Sequence, residues 1–126
     1  MNIPRSGHGC SLIPSEEISV IVSGGTKGFS EAAVDSVEIF DFGKNSWTEA
    51  EPMKTGRFGH ALVTIGSKIF AVGGDGKNPH NILDTIEEYD VASNSWRIMR
   101  KKLNKPRANF GYTLVPHSIF DGCVIG

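Results

Sequence analysis

The fold is decided by the stretch Ser36-Val-Glu-Ile-Phe-Asp-Phe-Gly-Lys-Asn-Ser-Trp47, because the chain repeats it. It returns 49 positions later as Thr85-Ile-Glu-Glu-Tyr-Asp-Val-Ala-Ser-Asn-Ser-Trp96. Both copies keep a glutamate, an aromatic residue, an aspartate, Asn-Ser and a tryptophan at the same offsets. A glycine pair precedes each copy, Gly24-Gly25 and Gly73-Gly74. Self-similarity with a period of about 40–50 residues is typical of repeat proteins, so the sequence predicts repeated supersecondary units.

A second motif, Arg-x-Gly-His, also occurs twice, as Arg5-Ser-Gly-His8 and Arg57-Phe-Gly-His60. Each copy leads into an apolar run, and a further apolar run ends at each glycine pair. Short apolar runs bounded by turn residues are typical of buried strands. The sequence shows no helical periodicity, so we expect four strands in each unit of about 50 residues.

A third and weaker copy of this motif lies within residues 107–116. Aligning Gly111 with the earlier glycines places Asn109 at the arginine position and Tyr112 at the histidine position. On this alignment the third copy replaces a cation with a neutral amide.

Composition excludes several classes of protein. The chain has 126 residues and a formal net charge of -1, which gives no bulk attraction to nucleic acid or to an anionic membrane. No apolar run approaches the roughly 20 residues of a membrane span. The two cysteines, Cys10 and Cys123, lie at unrelated repeat positions. We therefore expect no disulfide framework and a cytoplasmic protein with neither nucleic-acid nor membrane partners.

Taken in order, these motifs resemble the Kelch repeat: Arg-x-Gly-His, an apolar strand, Gly-Gly, Glu-x-aromatic-Asp, and a tryptophan six residues after that aspartate. The resemblance implies an all-β fold, a segment of a Kelch β-propeller with two complete four-stranded antiparallel blades and one flanking strand at each end. It also implies that the glycine-pair strand is innermost and that the Arg-x-Gly-His strand is outermost. The expected division is an outer strand of a preceding blade at 4–14, blades at 18–65 and 69–115, and an inner strand of a following blade at 119–126.

A propeller of this class needs about 4–8 blades to close its ring. Two blades and two fragments leave two alternatives open. The chain is a segment of a longer protein, or several copies assemble into a ring.

Several recurring side chains are expected to be structural. Large aromatic residues dominate core burial, so the two tryptophans should pack between blades. Acids that recur in every unit should accept hydrogen bonds from loop backbone rather than form one active site. These residues are Trp47, Trp96, Glu38, Asp41, Glu87 and Asp90. Equivalent histidines on successive blades do not converge on one centre, so we expect no metal site and no cofactor.

The candidate partner-binding site lies in the loops. The resemblance implies that arginines at the positions of Arg5 and Arg57 point into the mouth of the central pocket, where a guanidinium can bind a carboxylate or carbonyl of a peptide. The alternative is that each arginine holds a neighbouring turn. Loops held by a rigid scaffold often carry binding residues. The predicted partner-binding residues are Arg5, Ser6, Thr26, Lys27, Arg57, Phe58, Asp75, Lys77, Asn78 and Asn109.

The family resemblance implies a protein–protein interaction module that binds a partner peptide or domain on its loop face. Its commonest context is the substrate-recognition part of a kelch-like adaptor for a cullin E3 ubiquitin ligase. An actin-binding or cytoskeletal scaffold is the alternative. An enzyme such as a Kelch-like copper oxidase needs a Tyr, Cys and His cluster, and neither cysteine shares a plausible centre with both Tyr89 and Tyr112. We therefore expect no catalytic residues.

Overall fold

The structure is a computed structural model that describes residues 1–28, 31–76 and 80–114. All regular secondary structure in these ranges consists of β-strands, which confirms the predicted all-β class. The same ranges contain no helix of the kind that crosses a lipid bilayer. The strands are β1 (Gly9–Ile13), β2 (Ser19–Ser23), β3 (Val37–Asp41), β4 (Ser46–Ala50), β5 (Ala61–Ile65), β6 (Lys68–Val72), β7 (Ile86–Asp90) and β8 (Ser95–Ile98).

The strands form two four-stranded antiparallel sheets, ordered β1-β2-β3-β4 and β5-β6-β7-β8. Two complete blades are therefore present, but the predicted boundaries 4–14, 18–65 and 69–115 are wrong. β1 pairs with β2 of its own sheet and does not stand apart, and β5 opens the second sheet instead of closing the first. The predicted strand at 119–126 lies outside the described residues.

The inner strands are β1 and β5, not the glycine-pair strands β2 and β6. The two sheets come closest at β1 and β5, where Ser11 Oγ and Thr64 Oγ1 lie 2.7 Å apart. The glycine pairs serve another purpose. Gly24 and Gly25 have φ of 65° and 98°, and a Cβ on Gly24 would overlap the carbonyl oxygen of Arg57. Glycine is needed there because the backbone of the next repeat crosses at close range.

The turns between the outer strands repeat the same chemistry. Asn45 and Asn94 adopt φ of 50° and 48° in the β3–β4 and β7–β8 turns, a conformation that asparagine tolerates better than most residues. Asp41 Oδ1 accepts a hydrogen bond from Lys44 N at 3.0 Å, and Asp90 makes the same type of bond to its own turn. The predicted structural role of both aspartates is confirmed.

The hydrophobic core lies between the two sheets. Ile21 of the first sheet and Leu62, Ile69 and Tyr89 of the second are 0–1% exposed. These side chains belong to facing surfaces of the two sheets, because strand residues alternate between faces. Burial at this interface joins the sheets into one packed unit.

The two tryptophans occupy equivalent positions but different surroundings. Trp96 is 3% exposed, stacks on Tyr89 and donates from Nε1 to the carbonyl oxygen of Glu51, directly after β4, at 2.8 Å. It packs between blades as predicted. Trp47 stacks on Phe40 at a ring distance of 5.1 Å and is half-buried. It lies on the face of the first sheet that points away from the second sheet.

Candidate partner-binding site

Each loop of the site is built by the residue that follows an arginine and the residue that follows a glycine pair. Ser6 N donates to Thr26 O at 3.0 Å, and Thr26 N donates back to Ser6 O at 2.9 Å. Phe58 and Asp75 exchange the same two bonds at 3.0 and 2.9 Å. These short bridges fix both loops against the ends of the inner strands.

A chain of backbone hydrogen bonds links three successive repeats at the site. Gly59 N donates to Gly7 O at 2.7 Å, and Asn109 N donates to Gly59 O at 2.8 Å. All three residues have positive φ, of 65°, 62° and 52°. Asn109 is therefore the structural equivalent of the motif glycines.

The predicted alignment of the third copy is wrong by two residues. Arg107 O accepts from Gly74 N at 2.8 Å, just as Arg57 O accepts from Gly25 N of the repeat before it at 2.8 Å. Phe110 approaches Gly73 where the preceding repeat has its motif histidine. Arg107 is therefore the third motif arginine, and Phe110 rather than Tyr112 takes the histidine position. Matching by glycine identity misled the alignment, because the repeats share a backbone conformation there and not a residue type.

Arg5 is buried below the loops. Its guanidinium donates to Gly24 O and Ser36 O, both at 2.9 Å, and to Glu38 Oε2 at 2.9 Å. Both side chains of this ion pair are 0% exposed. Arg5 therefore holds neighbouring backbone, which agrees with the alternative that the sequence left open, and it does not line the cavity at the loop face.

Arg57 repeats this arrangement in the second sheet. It donates to Gly73 O at 2.7 Å, Thr85 O at 3.2 Å and Glu87 Oε2 at 2.5 Å, again with both charged side chains 0% exposed. Burial lowers the pKa of Arg57, and the charge of Glu87 opposes that shift. Arg57 thus also agrees with the alternative role of holding a neighbouring turn, and it does not line the cavity.

The paired glutamates confirm their predicted structural role, because they also accept from loop backbone. Asn2 N donates to Glu38 Oε1 at 2.7 Å. Lys54 N and Thr55 N donate to the two carboxylate oxygens of Glu87 at 2.6 and 3.2 Å. Each arginine–glutamate pair thus ties an inner strand, a middle strand and the segment that enters the repeat. A buried ion pair needs such further hydrogen bonds to offset its desolvation.

Several of the remaining predicted residues line one cavity at the loop face. The cavity has a volume of about 480 Å³, and its lining includes five of the ten predicted residues. Lys27 is its one charged lining side chain among the described residues. The sequence interpretation missed Gly7 and Gly28 of the lining, although Gly7 belongs to the repeated Arg-x-Gly-His motif. The lining residues are Ser6, Gly7, Thr26, Lys27, Gly28, Phe58 and Asn109.

Two further contacts shape these loops. Thr26 Oγ1 donates to Gly28 O at 2.6 Å, which closes the first loop. Asp75 is 3% exposed and binds His80 Nδ1 and Asn81 N at 2.7 and 3.0 Å, so it supports the second loop and does not line the cavity. The other two predicted residues, Lys77 and Asn78, lie outside the described residues.

A neutral histidine lies at the base of the loops. His60 is 7% exposed and shares a 2.9 Å hydrogen bond between Nε2 and Ser23 Oγ. Burial, followed by the nearby positive charge of Arg57, lowers the pKa of His60 to about 3. Nothing in the described ranges groups three or more His, Cys, Asp or Glu side chains as a metal site would.

The sequence model of the Kelch motif matches residues 19–54 and 56–102. Kelch-like protein 7 of Rattus norvegicus is 39% identical over 70 residues, which are 56% of this chain and 12% of that protein. Kelch-like protein 34 of Homo sapiens is 29% identical over 101 residues, 78% of this chain and 15% of that protein. The chain therefore spans less than a fifth of the length of these curated relatives.

A solved structure described as the structure of YjhT superposes with a TM-score of 0.71. The superposition covers 86% of this chain and 31% of the other at 18% identity, so the likeness concerns the fold alone. The Kelch motif matches more than half of the residues, and the two sheets carry its strands in the same order in both repeats. On these grounds the chain belongs to the Kelch-repeat family.

Proposed function

We propose that the chain is part of a protein–protein interaction module that binds a partner peptide or domain at its loop face. The observation that supports this most is the 480 Å³ cavity, because three successive repeats contribute side chains to it. Concave sites with a few polar groups around an apolar surface are typical ligand sites. Here Phe58 offers the apolar surface, and Lys27, Ser6 and Asn109 offer polar groups.

The buried arginines define which residues make the contact. Arg5 and Arg57 are buried beneath the loops of the site, and their charges are paired with glutamates. The partner instead meets Lys27 and Phe58, which stand on loops fixed by those pairs. A rigid support with exposed loop residues lowers the entropic cost of binding.

We further propose that the whole protein is the cytoplasmic substrate-recognition subunit of a cullin E3 ubiquitin ligase. The match to several proteins named Kelch-like supports this context. In this arrangement the loop face selects the substrate, and the ligase machinery binds through other parts of the protein. A cytoskeletal scaffold that binds actin is the competing function.

The test is a quantitative pull-down with the protein expressed from its full reading frame. Lys27→Glu and Phe58→Ala alter the cavity, and Lys101→Glu is the matched control on an exposed lysine outside the lining. We expect both cavity variants to lose a common set of proteins that Lys101→Glu retains, with a cullin recovered by all of them. Failure to recover a cullin, together with co-sedimentation with filamentous actin, would replace the adaptor proposal by the scaffold. Identical protein sets from all variants would reject the cavity as the binding site.

A further inference from the structure

Each sheet has two distinct faces, defined here by the tryptophan of its outer strand. The leading face carries that tryptophan, and the trailing face is the opposite one. The leading face of the second sheet packs on the trailing face of the first. Its central row Ile69, Tyr89 and Trp96 is 0–3% exposed. This contact shows what a covered leading face looks like in this chain.

The leading face of the first sheet has the same row but lacks the cover. Its row is Val20, Phe40 and Trp47, continued onto β1 by Leu12, which is 61% exposed. Cys10 on the same face is exposed, whereas the equivalent Leu62 is 1% exposed. No sheet among residues 1–28, 31–76 and 80–114 lies against this face.

Where the sheets meet, hydroxyl groups on the first sheet lie opposite polar groups on the second sheet. Ser23 Oγ on the trailing face of the first sheet binds His60 Nε2 at 2.9 Å, and Ser11 Oγ binds Thr64 Oγ1 at 2.7 Å. The first of these bonds is buried, where an unpaired polar group is costly.

The trailing face of the second sheet replaces both serines with apolar residues, and the residues that face them change as well. Val72 stands for Ser23, and the histidine position opposite holds Phe110. Val63 stands for Ser11, and Leu114 lines the same 300 Å³ apolar cavity with it. Polar groups therefore meet polar groups at one interface, and apolar groups meet apolar groups at the other.

We propose that, among β-sheets of this repeat type, the leading face of the first sheet selects one that carries a hydroxyl side chain opposite His8 and an apolar side chain opposite Leu12. His8 is equivalent to His60, which hydrogen-bonds a hydroxyl group, and Leu12 is equivalent to Leu114, which lines an apolar cavity together with Val63. The docked sheet also supplies a backbone carbonyl to Trp47 Nε1, as Glu51 does for Trp96.

A second copy of this chain does not meet these requirements. Its first sheet offers a serine at both positions, and its second sheet offers a valine at both. One position is mismatched in either case. Leaving a buried polar group unpaired, or burying a hydroxyl against Leu12, weakens the contact. The surface therefore selects a sheet whose two positions differ.

The experiment adds such a sheet at the native repeat spacing. Residues 1–52 are fused directly before Met1, so that the original Met1 takes the place of Met53 relative to the added sheet. The added copy carries Cys10→Ser and Ser11→Val in one version, and Ser23→Val as a third change in the other. With Cys123→Ser, the thiol of the original Cys10 reports cover of the leading face through its alkylation rate.

With His8 in place, the version that retains Ser23 should slow alkylation at least about tenfold relative to the unfused chain, because reaction then needs local opening of the interface. The version with Ser23→Val should protect less. With His8→Phe in the original copy, the version with Ser23→Val should protect more than the version that retains Ser23. The valine of the added sheet and the new phenylalanine then reproduce the combination of Val72 and Phe110. The same order in both backgrounds, or no protection in any fusion, would overturn the proposal.

The unfused chain tests the competing occupant. We expect its Cys10 alkylation rate and its sedimentation coefficient to stay constant over about two orders of magnitude in concentration, because a mismatched copy binds weakly. Protection that rises with concentration together with a growing sedimentation coefficient would identify a second copy as the occupant and overturn the proposal.

Discussion

The guanidinium of Arg57 donates to Glu87 Oε2 at 2.5 Å, with both side chains completely buried. The same pair exists one repeat earlier between Arg5 and Glu38 at 2.9 Å. Each pair joins the loop that carries the candidate site to the middle of its sheet. The most conspicuous charges of the repeat therefore stabilise the site and are not its binding groups.

Removing one member of this pair should destabilise the fold strongly. Glu87→Ala leaves the Arg57 charge buried without a partner and removes the acceptor of two loop N–H groups. We expect a loss of about 3–5 kcal/mol in the free energy of unfolding, measured by urea denaturation.

Lys44→Ala is the matched control, because Lys44 forms an ion pair with Asp41 at the surface. Exposed pairs contribute little, so its unfolding midpoint should stay near that of the wild type. Equal midpoints for Glu87→Ala and Lys44→Ala would show that the buried pair does not stabilise the fold.

The buried histidine predicts a loss of stability in acid. The pKa of folded His60 is about 3, against an ordinary value of 6.5. Between these values the unfolded chain binds a proton that folded His60 does not, so stability falls as the pH drops through this window. The slope from this group approaches about 1.4 kcal/mol per pH unit. Urea midpoints between pH 7 and pH 4 measure it.

The double variant Ser23→Val/His60→Phe should flatten this part of the pH profile, because it copies the apolar pair of the second sheet's trailing face. Ser23→Val alone retains His60 and should keep the slope. A profile for the double variant as steep as that of the wild type would exclude His60 as the cause.

Asn109 should tolerate glycine but not alanine. Its φ of 52° is unfavourable for residues with a Cβ, and asparagine and glycine tolerate it best. We expect Asn109→Gly to leave the free energy of unfolding nearly unchanged and Asn109→Ala to lower it by roughly 1 kcal/mol. Thermal denaturation of both variants measures the difference. Asn104→Ala, at an exposed position nearby, is the control. A larger loss for glycine than for alanine would contradict the positive φ.

The tryptophans should respond unequally to the same change. Trp96→Phe removes the bond from Nε1 to Glu51 O and leaves a gap between the sheets, at a cost of about 2–3 kcal/mol. Trp47→Phe should cost clearly less, because Trp47 is only half-buried. Unfolding free energies from urea titrations of both variants make the comparison. Losses of equal size would mean that Trp47 is covered as fully as Trp96.

The sequence predicted the strand content and repeat period well, because those depend on local patterns such as Ile69-Phe-Ala-Val-Gly-Gly74. It did not reveal that β5 opens a sheet, since strand pairing is a long-range choice that the local residue pattern does not encode. The Kelch resemblance implied that Arg5 and Arg57 point into the pocket mouth, whereas their burial agrees with the alternative that each holds a neighbouring turn. Their burial depends on Glu38 and Glu87, which lie about 30 residues away in the sequence.

The predicted site residues that line the cavity are loop residues next to the motif, such as Ser6 and Lys27. They could be found because the repeat fixes which residue follows each arginine and each glycine pair. Asn109 was assigned to the site for the wrong reason, as an arginine equivalent, and it lines the cavity as a glycine equivalent.

The central claim is that the loop-face cavity, and not the arginine pair below it, contacts the partner. Isothermal titration of the partner recovered by pull-down, against wild type, Lys27→Glu and Lys101→Glu, tests it most directly. We predict at least about tenfold weaker binding for Lys27→Glu, from loss of a desolvated charge contact, and wild-type affinity for Lys101→Glu. Equal affinity of all three proteins would contradict the account.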